Sequence, residues 1–360
     1  MLVGVPTEIK NRETRVALTA RGAAELVADG HDVIVQAGAG LGSAIPDEEY
    51  VASGARLGTS DEAWAADLVL KVKEPMAPEY DRLQGKTIFT FLHLAANRAL
   101  ADALVAKGTT AISYDTVQLA DGSLPLLAPM SMVAGRLSAL AGGYHLLSSQ
   151  GGRGILLGGI TGVPGASAVV IGAGIAGTSA IEQLSAMGAR VTVIDTSEAR
   201  LHQIDAQCMR GVSTMVSTPE AVDAALMDAD LVIGAVLVPG HRAPRLVSHE
   251  QVTRMRHGSV LVDIAIDQGG CFEDSRPTTH DDPVYQVANS MFYCVANMPG
   301  AVGVTATEAL THATLPYVRK LASGVDQALA TDAALGAGLN VVGGKVVHPV
   351  VAEAFPDLAS

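Results

Sequence analysis

The sequence predicts an α/β protein with two doubly wound, mostly parallel sheets, and three observations carry that reading. Short apolar runs alternate with amphipathic stretches along most of the 360 residues. The composition holds 49% hydrophobic residues and 38 glycines but only 4% aromatics, so the core is Ala, Val, Leu and Ile joined by many tight turns. Near the middle, a strand-like run enters Gly172-Ala173-Gly174-Ile175-Ala176-Gly177, a glycine pattern that turns a strand into a helix. A chain of this length can bury two cores, so two domains are expected.

Taken in order, strands are predicted over residues 2–6, 33–36, 68–72, 87–92 and 110–114, with helices over 20–29, 48–54 and 97–107. Each strand returns through a helix, so right-handed crossovers onto a parallel sheet follow, with functional groups beyond the carboxyl ends of the strands. Ser131 is expected to cap a long helix through residues 135–147 that leaves the first domain. A second set of strands reads 168–171, 190–194, 231–234, 259–266 and 292–296. Beyond Pro299 the pattern turns helical, opened by Thr305 with Glu308 three residues on, the spacing of a capping box, and bent at Pro316. The last ~55 residues follow a complete second sheet and are expected to return to the first domain. The predicted partition is 1–128 with 304–360 as the catalytic, substrate-binding domain, and 129–303 as the nucleotide domain.

A net charge of −13 without a local Lys/Arg run works against phosphate backbones and anionic lipid, so neither nucleic acid nor membrane is expected as a partner. Cys208, Cys271 and Cys294 are odd in number and widely spaced, as in a reduced cytoplasmic protein. No signal peptide is visible at the N-terminus. Residues 154–181 carry no charge and are long enough to span a bilayer, but recurrent Gly and Pro164 argue for a buried loop and strand. No metal ligands are assigned.

Within 169–195 the glycines have separate tasks. Gly172 makes the tight turn, Gly174 lets a pyrophosphate approach the backbone, and Gly177 lets helix and strand pack closely. Phosphates then face a helix N-terminus. The pattern fits a Rossmann-like domain. The next predicted strand ends in Asp195, eighteen residues after Gly177, where a carboxylate accepts bonds from ribose hydroxyls and repels a 2′-phosphate. NAD is therefore expected rather than NADP.

Four ionisable residues stand at predicted strand ends or in the loops after them: Arg15, Lys73, His93 and Asp267. Together they could line an interdomain cleft for a small-molecule substrate. Singly, Lys73 could be a rim ion pair with Glu74, and His93 a satisfied core histidine.

Val5-Pro6-Thr7-Glu8, Lys71-Val72-Lys73-Glu74-Pro75, Phe91-Leu92-His93-Leu94-Ala95, Asp263-Ile264-Ala265-Ile266-Asp267-Gln268-Gly269-Gly270 and Val295-Ala296-Asn297-Met298-Pro299 occur in that order. In these segments the chain resembles the alanine dehydrogenase and nicotinamide-nucleotide transhydrogenase α-subunit family, over nearly its whole length. The resemblance implies an oxidoreductase of amino-acid catabolism that converts L-alanine to pyruvate and ammonia with NAD. Arg15 and Lys73 would hold the substrate carboxylate, and His93 and Asp267 would be the catalytic acid/bases. Such chemistry needs hydride removal, water addition and two proton transfers, which suit groups that titrate near neutrality.

The same resemblance implies cofactor contacts at Ser131, Gly172, Ala173, Gly174, Ile175, Ala176, Gly177, Asp195, Arg200, Ser217, Val236, Leu237, Ile264, Ala265, Ile266, Asp267, Arg276, Val295, Ala296, Asn297 and Met298. It also implies a homo-oligomer, a hexamer by preference. Two positions depart from the family pattern: Met132 stands where a glutamate is usual, and Gly303 where a proline is usual, which would loosen a hinge. Two alternatives remain open. One is a dehydrogenase of another small amino acid; the other is a transhydrogenase-like or saccharopine-dehydrogenase-like protein, the former binding NAD(H) without amino-acid turnover.

Overall fold

The structure, a computed structural model, describes residues 1–236 and 243–359. It divides into two compact units, residues 1–130 with 300–360, and residues 131–299. Each is a Rossmann-like α/β layer structure.

In the first unit, β1 (Leu2–Val5), β2 (Asp32–Gln36), β3 (Arg56–Gly58), β4 (Leu68–Leu70), β5 (Thr87–Thr90) and β6 (Thr110–Ser113) lie parallel in the order β6-β5-β4-β1-β2-β3. The order reverses between β1 and β4, and sheets of this kind bind ligands beyond the carboxyl ends of the strands at such a reversal. Leu68, Val69 and Leu70 are wholly buried, which explains a continuous apolar run in place of alternation. The chain's last part extends this sheet: Leu339–Val342 pairs antiparallel with β6, and Lys345–Val346 pairs with it in turn. Ser43 fastens the long helix Gly303–Ser323 here, its hydroxyl lying 2.7 Å from Thr307 Oγ1, and the Val16 N–H donates to the same oxygen at 3.1 Å.

The second unit carries β7 (Ser167–Ile171), β8 (Arg190–Asp195), β9 (Val212–Val216), β10 (Leu231–Gly234), β11 (Val260–Asp263), β12 (Val284–Val287) and β13 (Ser290–Tyr293). Their order is β12-β13-β11-β10-β7-β8-β9, with only β12 antiparallel. Its switch point lies between β7 and β10, directly beyond which comes the glycine loop. Two apolar layers, one including Val170, Val193, Ile233 and Val262 and the other Val169, Ile194, Val232 and Leu261, sandwich this sheet.

Several local expectations give way to stronger constraints. Ser131 is no cap: the helix Ala128–His145 begins three residues earlier, with Pro129 tolerated in the first turn, where an N–H would be unpaired anyway. Thr305 lies inside Gly303–Ser323, whose N-cap is Val302 without a side-chain bond, so no capping box forms with Glu308. Pro316 stands inside that helix, as the sequence placed it. The predicted strand 259–266 stops at Asp263, because the Asp263 carboxylate accepts the Ala265 N–H at 3.0 Å and starts a 3-10 turn, Ile264–Gln268. Residues 154–166 are not all buried, since Leu156, Ile160 and Val163 are more than half exposed in a turn that bonds to itself. Among the described residues, no helix is long and apolar enough to cross a membrane.

Gly303 is a packing glycine. A Cβ there would meet Thr14 Oγ1 at 2.4 Å and the Gly42 carbonyl at 2.7 Å, so the position serves close approach. Met132 is 45% exposed, and the charge it lacks would have faced outward.

Candidate functional site

In the first unit, Arg15, Lys73 and His93 follow the carboxyl ends of β1, β4 and β5, neighbouring strands at and beside the switch point. The loop after β1 is tied to β4 by Glu8, which accepts the Val72 N–H at 2.5 Å and pairs with Lys71 at 3.0 Å. Lys71 also pairs with Glu79, completing a buried triad. Burial is the largest influence on Glu8 and raises its pKa despite Lys71.

Arg15 is 3% exposed, a costly place for a charge unless it is paired. Glu13 supplies the partner through a two-bond fork, Nε to Oε1 at 2.7 Å and Nη2 to Oε2 at 2.6 Å, and Nη1 reaches Met130 Sδ at 3.0 Å. Lys73 is 4% exposed, its backbone carbonyl accepting the Thr90 hydroxyl. Glu74 pairs with Lys10 at 2.7 Å, while its Oε2 is buried without a hydrogen-bond partner. Burial opposes ionisation of Glu74, but Lys73, Lys10 and His93 outweigh it and hold the carboxyl below its usual range. One carboxylate thus lies within the field of both Lys73 and His93.

His93 is not a core histidine, since its side chain is 32% exposed. Its ring stacks parallel on Phe91 at 5.8 Å, its backbone is left-handed (φ 46, ψ 41), and Nδ1 lies 3.9 Å from Asp115 Oδ2. Burial is again the largest influence on Asp115, yet His93, the Ser113 hydroxyl and the Leu92 N–H together lower its pKa.

In the second unit, the cradle fits a dinucleotide. Gly172 leaves β7 at φ 105, a region costly for any side chain. A Cβ on Gly177 would lie 1.8 Å from the Gly172 carbonyl, whereas one on Gly174 meets nothing nearer than Arg200 Nη1 at 4.0 Å. The pattern therefore holds the helix Ile175–Ala186 against the strand and keeps backbone open at its N-cap, Gly174, where no side chain caps the helix. The open positive end of a helix suits a pyrophosphate.

Around this loop the structure gathers several predicted contacts. Asp195 accepts the Ala173 N–H at 2.6 Å and the Ser197 N–H at 2.7 Å, with Arg200 Nη1 at 3.9 Å. The Ser217 N–H donates to the Asp195 carbonyl. Val236, just past β10, borders Gly172. Gly135 packs on the Ala176 carbonyl, where a Cβ would fit only 2.1 Å away, and Ser131 lies one turn before it on the same helix face.

Ile264, Ala265, Ile266 and Asp267 form the turn after β11, shaped by the buried Asp263, which accepts the Cys271 N–H and the Ser275 hydroxyl. Val295, Ala296, Asn297 and Met298 follow β13, with Asn297 left-handed at φ 72 and its carbonyl 3.1 Å from His280 Nε2. Arg276 stands apart from the glycine loop, its guanidinium stacked 3.9 Å from the Tyr285 ring centroid at the antiparallel edge. Leu237 lies outside the described residues.

Glu13, Glu74 and Asp115 were not singled out from the sequence for this site. Asp115 follows the end of β6, so the strand-end rule that selected Lys73 and His93 also reaches it; Glu13 gives no such signal, since its role depends on a loop bringing it back onto Arg15.

The N-terminal domain profile of alanine dehydrogenase/PNT matches residues 4–134, and the C-terminal domain profile matches 138–349. The chain is 57% identical to an alanine dehydrogenase of Mycolicibacterium smegmatis, over 98% of this chain and 96% of that one. A solved L-alanine dehydrogenase superposes with a TM-score of 0.96 at 48% identity, covering both chains completely. A transhydrogenase from Sinorhizobium meliloti superposes at 0.81 with 28% identity, over 97% of this chain and 99% of that one. By sequence, by fold and over its full length, this chain belongs to the alanine dehydrogenase/PNT family.

Proposed function

We propose that the chain is an NAD-dependent L-alanine dehydrogenase, catalysing reversible oxidative deamination of L-alanine to pyruvate and ammonia. The observation that carries this reading is the placement of Lys73 and His93 just beyond β4 and β5, with Arg15 in the loop after β1, in a chain that also bears the Gly172–Asp195 cradle. A bare nucleotide-binding subunit has no use for that trio. In this reading residues 1–130 with 300–360 bind substrate, and residues 131–299 bind NAD.

NAD would be held by the Gly172–Gly177 loop and Asp195 and would supply the acceptor for the hydride that leaves the substrate Cα. Arg15 and Lys73 hold the substrate carboxylate, the first as a planar fork oriented by Glu13 and the second as a point charge. His93 takes the proton from the water that adds to Cα, gives it up to the amino nitrogen by way of Asp267 so that the nitrogen can leave as ammonia, and then takes the proton of the resulting hydroxyl as the C–N bond breaks and the carbonyl forms. Asp267 manages the proton on the departing ammonia. In reverse, the same groups return the protons they took. Asp195 selects NAD over NADP, because its carboxylate would repel a 2′-phosphate.

The reading also assigns a homo-oligomer, a hexamer by family resemblance. Met132, Leu140 and Tyr144 are each about half exposed along one face of Ala128–His145, with Arg136 paired to Glu182 between the first two, a face that suits a second copy of this chain. Three unpaired thiols support a cytoplasmic location. The test is NADH formation by the purified protein across a panel of L-amino acids, with the best substrate repeated using NADP. Turnover led by L-alanine with NAD is expected; no turnover with alanine, glycine or serine would contradict the reading.

A further inference from the structure

Asp115 lies where two neighbouring strands run out. β5 and β6 are parallel, with Thr90 opposite Ser113, and beyond them the chain at Leu92 and His93 passes over Ser113 and Asp115. One carboxylate oxygen, Oδ1, accepts the Leu92 N–H at 3.1 Å and, more weakly, the His93 N–H at 3.5 Å. The Ser113 hydroxyl donates to the same oxygen and also accepts the Leu92 N–H at 3.2 Å. These bonds hold His93 in a left-handed conformation that residues other than glycine seldom adopt, and such backbone persists only where its surroundings fix it. The other oxygen, Oδ2, faces His93 Nδ1 at 3.9 Å. Phe91 holds the ring plane, stacked within 3°.

We propose that Asp115 is the positioning residue of His93: Oδ1 fixes the backbone from which the imidazole projects, and Oδ2 faces Nδ1, so that Nε2 is the nitrogen presented to substrate. The inference rests on the reading of His93 as the acid/base. A carboxylate in that place stabilises the imidazolium formed during turnover and fixes which ring nitrogen exchanges the proton. The other ionisable groups in this field are Glu74, with Lys73 and Lys10 beside it, and His348, which opens the helix Pro349–Ala354 and feels the charge of Asp115. Among these, Asp115 alone bonds the backbone at Leu92 and His93 and also faces the His93 ring.

The test is Asp115→Asn, which keeps an acceptor for the Leu92 N–H but removes the charge. The acid limb of kcat/KM for L-alanine oxidation is expected to move down by about one pH unit, because a base without a nearby carboxylate is harder to protonate. kcat is expected to fall by up to about a hundredfold, the cost of misplacing a reacting group by roughly 1 Å, with NADH binding unchanged. Asp115→Glu, which restores the charge, is expected to return the limb toward wild type. An unmoved limb in the Asn variant, or a limb displaced equally in both variants, overturns the proposal. His93→Ala separates the two claims: if it retains turnover, the acid/base reading itself fails, whereas loss of turnover with an unmoved Asp115→Asn limb sinks only the positioning role.

Discussion

The Ala173 N–H donates to Asp195 Oδ2 at 2.6 Å, so the acid that closes β8 is bonded to the glycine loop that leaves β7. One carboxylate therefore shapes the glycine loop and, in the proposed reading, also meets the ribose. Asp195→Ala removes both contributions and leaves the Ala173 N–H without its charged acceptor. NADH binding is expected to weaken by about 1.5–3 kcal/mol, the range for a hydrogen bond to a charged group. Discrimination against NADPH is expected to shrink at the same time. Titration of both cofactors into wild type and variant measures the two effects together.

The glycines of the loop should respond differently to the same small change. Gly177→Ala puts a methyl 1.8 Å from the Gly172 carbonyl, a clash between backbone elements that cannot relax locally, so the second unit is expected to lose thermal stability. Gly174→Ala meets only the tip of Arg200 at 4.0 Å and is expected to melt like wild type while binding NADH less tightly. Melting curves with and without NADH separate packing from cofactor approach.

Glu13 and Arg15 form a buried pair with side-chain exposures of 0% and 2%. Glu13→Ala strips the guanidinium of two charge-assisted bonds and is expected to cost about 3–5 kcal/mol, as when one partner of a buried pair is removed. Arg15→Lys keeps a charge but not the fork, and is expected to raise KM for L-alanine and for pyruvate more than it lowers kcat. Steady-state kinetics in both directions, alongside denaturant unfolding, checks the pair.

His145 ends the helix Ala128–His145 between Tyr144 and Tyr293, with Nδ1 buried and without a hydrogen-bond partner. Burial lowers its pKa below the ordinary 6.5. The unfolded chain then takes up the proton first, so the neutral ring's stabilising contribution is present above 6.5 and is lost as pH falls through 6.5 toward the lower folded value. The melting temperature should fall on acidification from about pH 7.5 to about pH 5.5, and His145→Gln should reduce the drop.

Periodicity made the strands and most helices of both sheets legible, since each central strand is an apolar run with a helix after it. Residues 212–216 escaped because β9 is a short edge strand with little burial, and its Val212, Met215 and Val216 form neither a continuous apolar run nor a clean alternation. The short segment after β3 could have been read from Thr59 and Glu62, a capping box that does form. Thr305 and Glu308 show the opposite case: the same spacing forms no cap where Gly303 must start the helix to fit against Thr14. For the site, the strand-end rule placed Lys73 and His93 just beyond β4 and β5, where they lie, whereas Asp267, expected at the end of a strand over 259–266, stands in the 3-10 turn after β11. Glu13 was hidden because it folds back on Arg15 through a loop, and loop geometry leaves no period in sequence.

The central claim is that His93 moves protons during amino-acid turnover while a separate cradle binds the cofactor. The most direct measurement is NADH formation from L-alanine by wild type and His93→Ala, with NADH binding measured on the same preparations. Equal binding with turnover reduced by about 10²–10⁴-fold, the usual contribution of general acid–base catalysis, is the predicted result. A His93→Ala variant that binds NADH and oxidises L-alanine at the wild-type rate would contradict the account.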